Sequence, residues 1–304
     1  MAHVQTRAAT EPAARLAGPA HSQLDRARGR IGRVALYALL LAFGVIFAFP
    51  FYWVLSASVK DIVEIRAVPP TWWPHSFSLD AYGRVWSGKF ARYFLNSFIY
   101  AGGVTAIDVI TSTLIGYVLI KHPSRLGNVV FWTILSATMV PFVTYLLPLF
   151  MLLIQFQDLF RIPFVNTYWG MILPWIISPF GVFLMRQAMY SVPNELLDAA
   201  RIDGASDWTA FWRIVVPLVK QNMAALALLI FIFRYDDLLW PLVVAQSPSM
   251  YPVTIGLVEF IGEFFVEYDL YTAAAVMTIV PVLVIYLVLQ RFIIEGIATQ
   301  GLKG

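Results

Sequence analysis

Six mainly apolar stretches of about twenty or more residues divide the chain, at about 34–58, 93–120, 127–154, 167–190, 218–245 and 271–293. A helix of about 20 apolar residues crosses the hydrocarbon core of a bilayer, so each stretch predicts a transmembrane helix. The chain therefore reads as an all-α polytopic membrane protein with six transmembrane helices. An even number of crossings leaves both ends on one side. Lysine and arginine are unevenly shared: fourteen fall in the segments on the side of the ends, six in the segments opposite, and Arg234 lies within a span. Positive residues accumulate on the cytoplasmic side, so both termini are expected there. Composition agrees, with 60% hydrophobic residues, 13% charged residues and a mean hydropathy of +0.73, well beyond what a soluble core requires.

One polar, patterned segment interrupts this apolar text, from Glu195 to Pro217. Pro193 suits a helix start, and Glu195 and Asp198 put negative charge near the positive end of the helix dipole. Gly204 can adopt the left-handed conformation that ends a helix, and Ser206 with Asp207 can cap and charge the next. Trp208, Phe211, Trp212 and Val215 follow at helical spacing and predict one apolar face on that second helix. Ala199 and Ala200 are small enough to let another backbone approach. The segment thus predicts a helix–turn–helix with a docking first helix.

At these residues the chain resembles the permease subunits of ATP-binding-cassette importers. Their cytoplasmic loop reads Glu-Ala-Ala, three residues, Gly, nine residues, Ile, one residue, Leu-Pro. Here Asp198-Ala199-Ala200, Gly204, Ile214 and Val216-Pro217 fill that spacing, with Asp for Glu and Val for Leu. Where related sequences carry a second proline, this chain has Gln221. The resemblance implies a coupling loop over about 191–217, in which Glu195, Asp198, Ala199, Ala200, Asp203, Gly204, Ile214 and Pro217 meet an ATPase. The segment from Phe233 to Leu242 is similar to the carbohydrate-uptake, maltose-type branch. That likeness implies a second permease subunit, two ATPase subunits and an extracytoplasmic substrate-binding protein, in a bacterial cytoplasmic membrane. The chain has no GxxxxGK[ST] phosphate loop, so ATP would be bound by the partner subunit and no cofactor or metal is expected here. Residues 34–304 form the permease domain on this reading.

The remaining features refine the picture. Residues 1–33 hold six arginines among Ala, Pro and Gly, and predict a disordered basic cytoplasmic tail. The absence of cysteine excludes disulfides and thiolate chemistry, and a net charge of +3 without a basic face gives nucleic-acid binding no support. Between the first two spans, Trp72 and Trp73 suit the headgroup level. Between the last two, Glu259, Glu263 and Glu267 would share one helical face, either solvated or against the binding protein. Prolines 50, 141, 148, 174, 179, 241 and 281 fall in the spans and predict kinks or breaks. Asp108, Arg234, Asp236 and Asp237 also fall at span depth, where a charge costs about 2.5–3.5 kcal/mol unless it faces protein or water. Arg234 and Asp237, at i, i+3, can pair. The same aspartates would support two rivals, an ion-coupled secondary carrier and an intramembrane aspartyl enzyme. Against the second, Asp236 and Asp237 on one helix would point about 100° apart.

Overall fold

The computed structural model describes residues 19–262 and 266–301. Residues up to Trp53 make one compact unit and residues from Val54 a second. The first unit is helical: α1 runs from Pro19 to Ala57. Of the tail expected to be disordered, residues 19–33 are instead helical, and residues 1–18 lie outside the described residues. Once a span is nucleated, each added residue costs little, and Gln23, Leu24, Arg26, Ala27 and Arg28 are good helix formers. Leu36, Tyr37, Leu39 and Leu41 leave α1 exposed on several sides, as a helix in lipid requires.

In the second unit, α2 (Ile62–Ile65) and α3 (Asp80–Ser87) precede the long α4 (Phe90–Lys121). Glu64 organises the segment before α3, accepting from Thr71 Oγ1 at 2.8 Å and from the His75 backbone N–H at 3.0 Å. Desolvation opposes its charge, but hydrogen bonds from His75, Thr71 and Ser76 prevail and hold the carboxyl at about 2. Trp72 and Trp73 stand exposed on this braced turn.

The third expected span, 127–154, is broken. Ser124 caps α5 (Arg125–Ser136) by accepting from Gly127 N, one tight turn follows, and α6 (Phe142–Phe160) starts after Pro141. A proline excludes the helical conformation from the residue before it, and Val140 is extended at φ −93°, ψ 119°. Only α6 is left as the span. The fourth is bent: α7 (Tyr168–Ile172) and a short turn through Trp175 meet α8 (Pro179–Met189) at 47°. Pro174 and Pro179 sit at this break rather than inside a regular helix. Then come α9 (Asn194–Ile202) and α10 (Asp207–Ala210), which passes through one wide π-turn, Phe211–Val215, into α11 (Val216–Tyr235). The fifth span is thus Asp207–Tyr235, earlier than the expected 218–245. The remaining elements are α12 (Leu239–Val244), α13 (Val253–Glu259) and α14 (Tyr268–Gly301). Among the described residues, five helices are long and apolar enough to span, six with the bent pair.

Helix α4 is the post on which the second unit is built. Tyr100 and Val104 on α4, Met185 and Met189 on α8, and Val219 and Leu226 on α11 are fully buried in one core. Lipid tails are as apolar as these side chains, so close packing rather than water exclusion holds such helices together. Gly116 provides the closest approach, since a Cβ there would sit 2.8 Å from the Met185 carbonyl carbon. At 32 residues α4 is about 48 Å long, which separates two ends of the unit. At one end Asn96 Nδ2 donates to Ser249 O and Tyr251 O, both at 2.9 Å. At the other, Lys121 Nζ donates to Val192 O at 2.6 Å and Asn194 Oδ1 at 2.8 Å.

The acidic segment near the first of these ends is not one helix. Glu259 ends α13 and receives the Tyr93 hydroxyl at 2.9 Å, an isolated antiparallel bridge joins Ile261 to Val266, and Glu267 precedes α14. The shared face expected for Glu259, Glu263 and Glu267 is therefore absent, and Glu263 lies outside the described residues. The acids of this region also have basic company, because Arg84 pairs with Asp269.

Candidate functional site

The patterned turn forms largely as its residues dictate. Gly204 is left-handed at φ 82°, and Ala205 N donates back to Ala200 O at 2.9 Å, closing α9. Ser206 Oγ then accepts from Thr209 N and starts α10. Arg201 bridges the two helices, 3.4 Å from Asp198 and 3.3 Å from Asp207. All three are exposed, so these pairs contribute only tenths of a kcal/mol each.

Two expectations about this turn are corrected. Ala199 and Ala200 do not face the same way: Ala200 packs inward beside Leu197, whereas Glu195, Leu196, Ala199, Ile202 and Asp203 are exposed. Nor do the four large residues of the second helix share a face. Phe211 and Val215 are buried, while Trp208 and Trp212 remain 61% and 39% exposed. Pro217 lacks the N–H that would close the preceding helical turn, and the π-turn sits there, aligning Phe211 with Val215 and Val219. Tyr117 of α4 meets the Phe211 ring edge-on at 5.3 Å and locks the second helix to the post. Ile214 packs against the same core and Pro217 is exposed.

The charges at span depth fall into two groups. Asp108, fully buried on α4, accepts from Ser112 Oγ at 2.8 Å and from Ser178 N at 2.9 Å through Oδ1. It thereby holds the start of α8 at the bend in the fourth span; its Oδ2 has no partner among the described residues. The second group gathers where α11 stops. Asp236 and Asp237 lie beyond the last turn of α11 rather than inside a helical span, with Asp236 exposed. Asp237 Oδ2 receives Arg234 Nη1 at 3.1 Å and the Tyr100 hydroxyl at 2.7 Å. The Arg234 guanidinium lies 3.8 Å over the Trp175 ring, and the buried Trp240 indole donates to Met171 O at 3.1 Å. Beside them opens a cleft of ≈ 920 Å³ between α6, the bent span and α11.

Residues 109–297 match the family described as the binding-protein-dependent transport system inner membrane component. The chain belongs to that family. Among its relatives, the arabinooligosaccharides transport system permease protein AraQ of Halalkalibacterium halodurans is 34% identical over 84% of this chain and 91% of the relative. The protein of that name from Bacillus subtilis is 32% identical over 90% and 96%. The sn-glycerol-3-phosphate transport system permease protein UgpE of Escherichia coli is 33% identical over 85% and 93%. A chain of a bacterial ABC transporter that imports the acidic polysaccharide alginate has the same fold, with a TM-score of 0.74 at 24% identity over 86% of this chain and 96% of that one.

This inner membrane component is a multi-pass membrane transport permease, and both of its polar sites contain residues that the sequence pattern did not single out. Lys121 and Tyr117 fix the turn from α4, and Tyr100 and Trp175 complete the Arg234–Asp237 cluster. A lysine ending an apolar helix and a tyrosine or tryptophan within one are ordinary in membrane spans. Only folding brings them to partners 59 to 137 positions away.

Proposed function

We propose that this chain is one of two permease subunits in an ATP-driven importer of a saccharide, in a bacterial cytoplasmic membrane with both termini inside. Arabinooligosaccharide and alginate transport by similar proteins supports the carbohydrate class. The turn from α9 to α10 is the docking element for one of two separate ATPase subunits, which bind the nucleotide. Its outward face is formed by Glu195, Ala199, Ile202 and Asp203, and Asp198 and Gly204 shape it. Glu259 and Glu267, at the opposite end of α4, face the binding protein. The observation that carries this reading is the continuity of Asp207–Tyr235, which joins the exposed turn at one end to the Arg234–Asp237 cluster at the other. Closure of the ATPases would move α9, tilt this rod and reopen the path on the other side, a two-state element biased from one end.

The rival readings have less support. An aspartyl mechanism needs two carboxylates sharing a proton. Among the described residues Asp108 and Asp237 each have separate hydrogen-bond partners, and no hydrogen bond joins two of the aspartates.

Two experiments test the proposal. Purified from its native membrane, the protein is expected to bring down an ATPase, and Ala199→Trp to reduce uptake at least tenfold with normal membrane insertion. Purification without an ATPase, or full uptake by that variant, contradicts the docking assignment. For orientation, Ser206→Cys should react with a membrane-impermeant thiol reagent only from the cytoplasmic side and Ser249→Cys only from outside. Reaction of both from one side refutes it.

A further inference from the structure

The cleft beside the Arg234–Asp237 pair has a composition that the coupling reading does not use. Its volume of ≈ 920 Å³ falls at the upper end of the ~300–1,000 Å³ typical of small-molecule sites. Phe142 and Tyr145 of α6, Trp175 of the bent span and Phe233 of α11 line it with aromatic surface. Arg234 and Asp237 are its charged residues, one of each sign. We infer that this cleft is a contact site on this subunit for an uncharged sugar ring of the transported saccharide. The inference rests on the importer reading and adds to it both the site and the charge class of the cargo.

The chemistry fits a sugar in three respects. A pyranose or furanose ring carries C–H groups on its faces and hydroxyls at its rim, so it binds where aromatic faces stand next to fixed charged donors and acceptors. Tyr145 and Phe233 supply the first, and Arg234 and Asp237 the second. The polar pair is also held in advance of any ligand: Trp175 supports the guanidinium from below at 3.8 Å, and Tyr100 anchors Asp237 Oδ2 at 2.7 Å. Among the described residues the other oxygen, Oδ1, receives only the long 3.4 Å contact from Trp240 N, and a carboxylate has about four lone-pair positions to offer. It retains capacity for a sugar hydroxyl.

Charge separates neutral from anionic cargo. A phosphate or uronate entering here would meet a guanidinium already neutralised by Asp237, with the Asp237 carboxylate beside it and exposed Asp236 at the same helix end. Among the described residues no second cation lines the cleft. A lipid chain would fill the aromatic part but leave the ion pair without a polar partner.

The test uses the whole complex, with its second permease, ATPases and binding protein, in proteoliposomes. Uptake is measured with labelled arabinotriose and maltotriose as neutral probes, and with sn-glycerol 3-phosphate and an alginate trisaccharide as anionic ones. Transport is expected for a neutral probe. Tyr145→Ala and Phe233→Ala should each lower the sugar moved per ATP about tenfold, leave stimulation of ATP hydrolysis by the binding protein within twofold, and retain the second permease. Tyr145→Phe, which keeps the ring face, should restore transport. The inference is overturned if uptake is confined to the anionic probes, if both alanine variants move sugar per ATP within twofold of the parent, or if they lose the second permease, which would make the cleft a subunit seam. A parent complex in which the binding protein stimulates no ATP hydrolysis and no probe is taken up refutes the importer reading instead.

Discussion

Asp237→Ala is expected to destabilise the protein by about 3–5 kcal/mol, the cost of leaving one member of a largely buried ion pair without its partner. The side chains of Arg234 and Asp237 are only 18% and 12% exposed, so solvent cannot take over the lost interaction. Removal of the carboxylate also strips the Tyr100 hydroxyl of its acceptor and leaves the guanidinium on Trp175 uncompensated. An apparent melting temperature in detergent should fall by roughly 10 °C. The informative comparison is the double variant Arg234→Met with Asp237→Leu. Replacing both partners by apolar groups removes the stranded charge and should recover most of the stability, because buried pairs are often neutral relative to well-packed hydrophobic residues. Sugar transport should not recover, since both polar groups of the cleft are gone. A double variant as unstable as Asp237→Ala would show that the pair itself, rather than the stranded charge, decides stability.

Gly116→Val is expected to separate α4 from α8 and to cost at least the 1–3 kcal/mol typical of overpacking. The added Cβ would lie 2.8 Å from Met185 C, 2.9 Å from Arg186 N and 3.1 Å from Met185 O, all backbone atoms that no rotamer change can move. Since α8 leads directly into the turn that carries α9, the displacement should reach the docking face and reduce transport along with the melting temperature. Gly103→Ala is the control on the same helix. Its Cβ would meet Ile172 Cδ1 at 2.8 Å, the far end of a flexible side chain that can rotate away. That variant should fold and transport almost normally. Equal damage from both would mean that α4 tolerates no added volume anywhere, and that the backbone contact at Gly116 has no special importance.

Much of this architecture follows from local pattern. Apolar runs of span length are sufficient for six crossings, because lipid leaves a chain no alternative to satisfying its own backbone within a helix. The turn at Gly204 is equally local: a residue without Cβ takes the left-handed position, and Ser206 restarts the helix two residues later. Span boundaries were less legible. Pro141 and Pro217 are visible in the sequence, but whether a proline ends a helix, as at α6, or widens it by one turn, as before α11, depends on what packs against the helix. The tertiary structure alone decided which small residue of the pair faces outward. Ala199 and Ala200 are equivalent in composition, and the anchoring of α9 to α4 and to the Phe211 core turns Ala200 in and leaves Ala199 out. It decided also that Asp108 pins a bend while Asp237 braces a cleft. In sequence both are aspartates in apolar surroundings, and their partners, Ser178 and Tyr100, lie 70 and 137 positions away. Hydropathy records the cost of placing such a charge in a membrane; only the folded bundle supplies the group that offsets it.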